Sequence, residues 1–313
     1  MSLTLNVPLI NIKKAGEFSG HKGGVYTLAQ GADPHSFFSS GGDGLVISWS
    51  LKSFGPGVVV ARLPSAVFSL IFIEHLNWLV AGTRQGIIYI LDLSGNKLLK
   101  EVTLAGDIFD LLYIKEHEIL TIASVGSLYF LDINSMQIIR QVNPVMENAR
   151  ELAYNTNDSI LASGWSDHHI RLYNMSSLKE VYDFKAHENS VFALSFSPHG
   201  DALISGGRDA HLRLWKIDEG YAPGAVIPAH LFTINDIVWH PEGHWYATAS
   251  RDKTVKIWDG RKHQLLKVID KEKYAAHIHS VNKVLWSSFE GLLISAGDDR
   301  IIKIWDLQLA EVH

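Results

Sequence analysis

Seven times in 313 residues a strand-like apolar run closes on a similar tripeptide. The endings are SWS at Ser48–Ser50, LDL at Leu91–Leu93, LDI at Leu131–Ile133, YNM at Tyr173–Met175, WKI at Trp215–Ile217, WDG at Trp258–Gly260 and WDL at Trp305–Leu307. Their anchor residues, Trp49, Leu91, Leu131, Tyr173, Trp215, Trp258 and Trp305, stand 42, 40, 42, 42, 43 and 47 residues apart. A repeat of that length is one small block of secondary structure. It cannot bury its apolar face by itself, so copies must pack against one another.

The clearest unit runs from Ala186 to Ile227. Val191–Phe196 alternates as a strand does, Ser197-Pro198-His199-Gly200-Asp201 is a turn cluster, and Ala202–Gly206 is a second strand. Gly207-Arg208-Asp209-Ala210 turns the chain again, His211–Trp215 is a third strand and Ala225–Ile227 a short fourth. Alternation bounded by Gly, Pro and Asp is the basis of each assignment. Four short strands at this period predict an all-β fold, a seven-bladed β-propeller of four-stranded antiparallel blades. The ring is expected to hold residues 1–313 as one domain, with the repeats over about 19–307.

The remaining composition excludes several classes. There are no cysteines, so disulfides and thiolate metal sites are out. A net charge of −5 lacks the basic excess that general nucleic-acid binding needs. No stretch approaches the roughly 18 apolar residues of a membrane helix, and the opening MSLTLNVPLINIKKAGEF has no leader-peptide pattern. The expected location is the cytoplasm.

The Trp-Asp endings, an Asp six residues before the Trp and an Ala-His 28 residues before it resemble the WD-repeat family. The resemblance covers essentially the whole chain. It implies a buried His, Ser/Thr, Asp and Trp joined by hydrogen bonds inside each blade. Four units carry the full set: His21, Ser39, Asp43, Trp49; His187, Ser205, Asp209, Trp215; His230, Thr248, Asp252, Trp258; and His277, Ser295, Asp299, Trp305. Units two to four depart. Unit two has Leu63, Ala81, Gln85 and Leu91, unit three replaces Asp and Trp with Val125 and Leu131, and unit four keeps Ser163 and Asp167 but has Tyr173 and no His. Those three blades are expected to be held mainly by apolar packing. The N-terminal stretch Ile10–Phe18 is expected to supply the outer strand of the last blade, so that no sheet edge is left unpaired.

A Ser–His–Asp set at one place would invite a hydrolase reading. Four sets at identical spacing fit a repeated structural part better, and no G-x-S-x-G elbow is present. The sixteen histidines include no H-E-x-x-H and no cluster of four ligands at metal spacing, so neither metal nor cofactor is expected.

The family resemblance implies that partners are met by loops at one end of the ring, around the channel mouth. Five residues beyond the tetrad-His position stand Tyr26, Phe68, Phe109, Glu151, Phe192, Asn235 and Asn282. The aromatics are either ordinary strand residues packed between blades or an aromatic rim of the kind interfaces use. Just before the Asp position, three units carry Arg84, Arg208 and Arg251, whose guanidinium groups suit acidic partners. The longest step marks an insertion around Lys271, Lys273 and Tyr274, expected as a loop on the same face. The reading is a non-catalytic protein- or peptide-binding scaffold. The alternative is a hydrolase- or lactonase-type propeller enzyme with its site in the channel.

Overall fold

The computed structural model describes residues 10–143 and 146–309. Residues 1–9, part of the N-terminal stretch read above, lie outside that set. Seven four-stranded antiparallel sheets follow one another round a ring. Blade one spans residues 25–62, blade two 67–103, blade three 108–142, blade four 149–185, blade five 191–228 and blade six 234–269. Blade seven is composite. Val281–Trp286, Leu293–Gly297 and Ile301–Leu309 are joined at the outer edge by Ile10–Ser19, which runs antiparallel to Ile301–Leu309 with Ile10 opposite Leu309 and Ser19 opposite Ile301. Phe18 then packs on Trp49 and Phe37 of blade one, ring centroids 5.0 and 5.7 Å away.

Within each blade the strands differ in composition because they differ in surroundings. Second strands are enclosed on both faces, as in Ile119–Ser124, all of whose residues are buried, and they consist of apolar residues and small Ser, Thr and Gly. Fourth strands face water: Lys179–Lys185 is exposed along nearly its whole length. The core lies between blades. One cluster joins Ile73, Val80, Ile88 and Ile90 of blade two to Ile108, Leu111, Leu120, Ile122, Tyr129 and Leu131 of blade three. Each such side chain contributes about 1.5–3 kcal/mol when fully buried, so adjacency of blades is the main stabilising term.

Polar ties supplement it. In blade one the Trp49 indole N–H donates to Ser39 Oγ at 2.7 Å, Ser39 meets His21 Nε2 at 2.7 Å, and His21 Nδ1 meets Asp43 at 3.1 Å. Blades five, six and seven carry the same chain through His187, Ser205, Asp209 and Trp215; His230, Thr248, Asp252 and Trp258; and His277, Ser295, Asp299 and Trp305, with every link between 2.7 and 3.0 Å. With Nδ1–H donating to the carboxylate, Nε2 accepts from the hydroxyl, so every proton in the chain is placed. The carboxylate also accepts the backbone N–H that follows the histidine, from Lys22 in blade one. Burial pushes Asp209 and Asp252 up, but these bonds more than offset it and hold both well below the usual carboxylate range.

Blade four corrects the expectation that blades two to four rely on apolar packing. Arg171 from the third strand stands in for the missing histidine. Its Nη1 and Nη2 donate to Asp167 at 3.1 and 2.6 Å, and its Nε lies 3.3 Å from Asp183. Trp165 from the second strand replaces the absent tryptophan, donating to Ser163 Oγ at 2.6 Å. The polar set is rebuilt from other positions, because a buried Ser and a half-buried Asp still need partners. The insertion is also not a plain loop: Lys271–Tyr274 forms one helical turn capped by the Asp270 side chain, which accepts from the Lys273 N–H.

Candidate functional site

The first strand of every blade lines the central channel, and each carries a β-bulge near its start. The ladder slips between Val25 and Thr27, Val67 and Ser69, Ile108 and Asp110, Ala149 and Glu151, Val191 and Ala193, Ile234 and Asp236, and Val281 and Lys283. A bulge leaves one residue unpaired and re-aims its side chain. The seven residues so placed are Tyr26, Phe68, Phe109, Arg150, Phe192, Asn235 and Asn282, and all seven line one cavity of about 510 Å³ at the channel mouth. Counting five residues beyond the tetrad-His position puts Glu151 in this column. The bulge between Ala149 and Glu151 corrects that to Arg150.

The column divides into two arcs. From blade one to blade five it is a run of π surfaces. Tyr26 and Phe68 are 5.6 Å apart, and Phe68 stacks on Phe109 at 6.3 Å with planes 7° apart. The Arg150 guanidinium lies 4.2 Å from the Phe109 ring and 5.4 Å from the Phe192 ring, within the range of cation–π attraction. In blades six and seven the column is amide. Asn235 donates to Val281 O at 2.7 Å and Asn282 to Val25 O at 3.0 Å, which ties neighbouring first strands together.

One residue deeper lies a layer that spacing did not reveal: Ser69, Asp110, Glu151, Asp236 and Lys283, with Thr27 and Ala193 completing the ring. Lys283 Nζ donates to Asp236 at 3.0 Å and to Glu151 at 3.3 Å. Asp110 accepts from the backbone N–H of Leu111 and Leu152, both at 2.9 Å, and Asp236 from that of Val284 at 2.8 Å. Each aspartate therefore clips its blade to the next. Burial drives the carboxyls upward, Asp110 to about 6 and Glu151 well above its usual value, the latter pushed further by Asp110. Burial acts to lower Lys283, but Asp236, Glu151 and Asp110 more than offset it and hold the ammonium charged.

Arg84, Arg208 and Arg251 are exposed. Their backbone N–H groups bond to Ala66, Ser190 and Thr233, in the segments leading to the first strands, which fixes them on the mouth face outside the cavity. Lys271 and Lys273 are exposed at the outer rim of that face, with Lys273 Nζ 5.3 Å from the Tyr274 ring. Tyr274 is not free on the surface: it packs on the cluster between blades six and seven. Spacing missed three exposed apolar residues on the same face, Leu231, Phe232 and Ile278, which are 83%, 57% and 48% exposed. The signal was present, since Leu231 and Ile278 follow a tetrad histidine where other blades have Lys22 and Glu188.

The tetrads offer no catalytic site. Ser39, Ser205 and Ser295 are 0% exposed, and each hydroxyl already receives a tryptophan N–H. Among the described residues no group of three or more His, Asp or Glu side chains is placed to hold a metal ion. No helix among them is long and apolar enough to cross a membrane.

A family model described as WD domain, G-beta repeat matches residues 12–50, 178–216, 222–259 and 270–306. Each match ends on one of the four tetrad blades, and blades two and three and the first three strands of blade four are unmatched. The chain is 23% identical to Striatin-3 of Bos taurus over 278 residues, covering 80% of this chain and 35% of that protein. It is 34% identical to a Denticleless protein homolog of Gallus gallus over 112 residues, 34% of this chain and 16% of that one. A Serine-threonine kinase receptor-associated protein of Gallus gallus is 23% identical over 266 residues, 82% of this chain and 74% of its own length. The chain spans about a third or less of the length of the first two.

Proposed function

This chain is a WD-repeat β-propeller of seven blades, and we propose that it is a non-catalytic scaffold that binds a protein or peptide at the channel mouth. The observation that carries the reading is the bulge column. Seven side chains set out of the ladder register by the bulges converge on one cavity, and five of them form an unbroken π arc. Aromatic and Arg side chains are the usual anchors of interfaces. The exposed Leu231, Phe232 and Ile278 extend apolar surface across the same face, and Arg84, Arg208 and Arg251 would set charge around it.

The test is simultaneous substitution of Tyr26, Phe68 and Phe192 by Ala. Partner capture should be lost while the circular dichroism spectrum and melting temperature stay near wild type. Undiminished capture by the folded variant would place the interface elsewhere.

A second reading, hydrolysis in the channel, has the layer of Asp110, Glu151, Asp236 and Lys283 in its favour. The backbone bonds that the two aspartates accept give this layer a structural task already. Loss of a measurable esterase or lactonase activity in Glu151→Gln, at unchanged stability, would move the assignment to catalysis.

A further inference from the structure

We propose that the mouth recognises a carboxylate on its peptide partner, and that Arg150 is the residue that takes it. The inference rests on the scaffold reading above and names the partner's chemistry. Arg150 is the one cation in the bulge column. Its Nε donates to Ser166 Oγ at 2.8 Å, and its guanidinium carbon lies 4.2 Å from the Phe109 ring and 5.4 Å from the Phe192 ring. Among the described residues, its two terminal nitrogens have no hydrogen bond and no ion pair, although they belong to a side chain lining the mouth cavity. Asp107 and Glu147 act on it only at longer range. A guanidinium fixed at one nitrogen and lying within cation–π range of two rings, with its outer fork unpaired, is preorganised for a carboxylate, which fits the fork through two parallel N–H···O bonds.

The layer beneath does not cancel this. Lys283 and Asp236 neutralise one another at 3.0 Å. Glu151 faces Lys283 Nζ at 3.3 Å, and burial pushes its carboxyl well above its usual value, toward the neutral form. The Asp110 oxygens are taken up by the Leu111 and Leu152 N–H groups and the Ser69 hydroxyl. An arriving carboxylate therefore meets Arg150 with no direct ion-pair partner at its terminal nitrogens, Asp107 and Glu147 acting only from a distance. The π arc on either side suits an apolar or aromatic residue next to the acidic one.

The test is a panel of hexapeptides of fixed flanks, Ala-Phe-X-Leu-Ala-Ala with blocked ends, in which X is Asp, Glu, Asn, Gln or Lys. Binding is read by fluorescence anisotropy against wild type, Arg150→Lys, Arg150→Gln and Phe109→Ala, each first checked by thermal denaturation. Asp and Glu peptides should bind wild type roughly 10- to 100-fold better than their amides, the range expected for losing a charge-assisted bond. Arg150→Gln should abolish that preference and Arg150→Lys should keep only part of it, because an ammonium cannot form the fork. Phe109→Ala should weaken all peptides. Binding that falls in Phe109→Ala yet ignores the acid-to-amide exchange overturns the carboxylate assignment and leaves the mouth as the site. Binding, or its absence, that neither Phe109→Ala nor Arg150→Gln alters overturns the mouth reading and this inference with it.

Discussion

Replacing Arg171 by Met should show how blade four manages without a histidine. The guanidinium is 4% exposed and its two terminal nitrogens hold Asp167, while its Nε faces Asp183. Methionine keeps much of the apolar stem but leaves Asp167 without its counter-charge. Removing one partner of a fully buried pair costs about 3–5 kcal/mol. Asp167 and Asp183 retain 19% and 35% exposure, so water recovers part of that, and we expect about 2–3 kcal/mol. For a chain of 313 residues melting as one unit, that is a fall in Tm of about 3–5 °C. The loss should appear in urea unfolding and, by hydrogen exchange, in residues 160–185 ahead of blades five and six. Adding Asp167→Asn to Arg171→Met should restore about half, since the stranded charge is then gone. A pH series gives a further check. Burial pushes Asp167 up, but the bonds and charge of Arg171 hold it below its usual value. Its contribution is therefore complete above about pH 4 and lost as pH falls through the lowered value, so the gap between wild type and variant should narrow in acid. A variant within 0.5 kcal/mol of wild type, or a double variant that merely adds a second loss, would refute the reasoning.

Other expectations follow from the same contacts. Burial lowers His187 and His230 below 6.5, outweighing Asp209 and Asp252, which act to raise them. An unfolded chain takes up those protons first, so the contribution is complete above about pH 6.5 and declines as pH falls below it; a urea midpoint that is flat from pH 7 to 5 contradicts this. Lys283→Met strands the buried Asp236 and should cost about 3 kcal/mol, whereas Glu151→Gln keeps the shape of a carboxyl that burial already pushes toward its neutral form and should cost clearly less; equal losses in urea unfolding would argue against Asp236 as the main partner of Lys283. Removing residues 1–19 takes away Phe18 and the outer strand of blade seven, and should lower Tm sharply or produce dimers through the bared edge; size-exclusion chromatography showing a monomer with unchanged Tm would count against closure by that strand.

The seven-bladed architecture was legible because a tetrad requires particular residue types at fixed separations, and those survive as a countable pattern. Where the pattern lapses, counting fails for a physical reason. Arg171 and Trp165 restore blade four from strand positions that carry no such role elsewhere, so their function exists only once the strands are paired. The shift from Glu151 to Arg150 likewise comes from a bulge that exists only in the paired ladder. The carboxylate layer was illegible for another reason. Its members come one per blade, more than 40 residues apart, and only ring closure brings Lys283 to Glu151 and Asp236. The burial of Tyr274 depends likewise on the neighbouring blade.

The composite seventh blade fixes how the propeller is held as well as how it is closed. Ser19 and Ile301 pair at the end of the sheet nearest the mouth, so Ile10 and Leu309 pair at the far end. Both described ends of the chain thus leave side by side from the rear of the ring. A cargo, surface or tag attached to either one tethers the propeller from behind and presents the mouth outward. Pulling the two ends apart would load the Ile10–Ser19 ladder from the Ile10–Leu309 pair inward, opening it one pair at a time like a zip. The ring should therefore yield to tension at its seam before any other blade gives way.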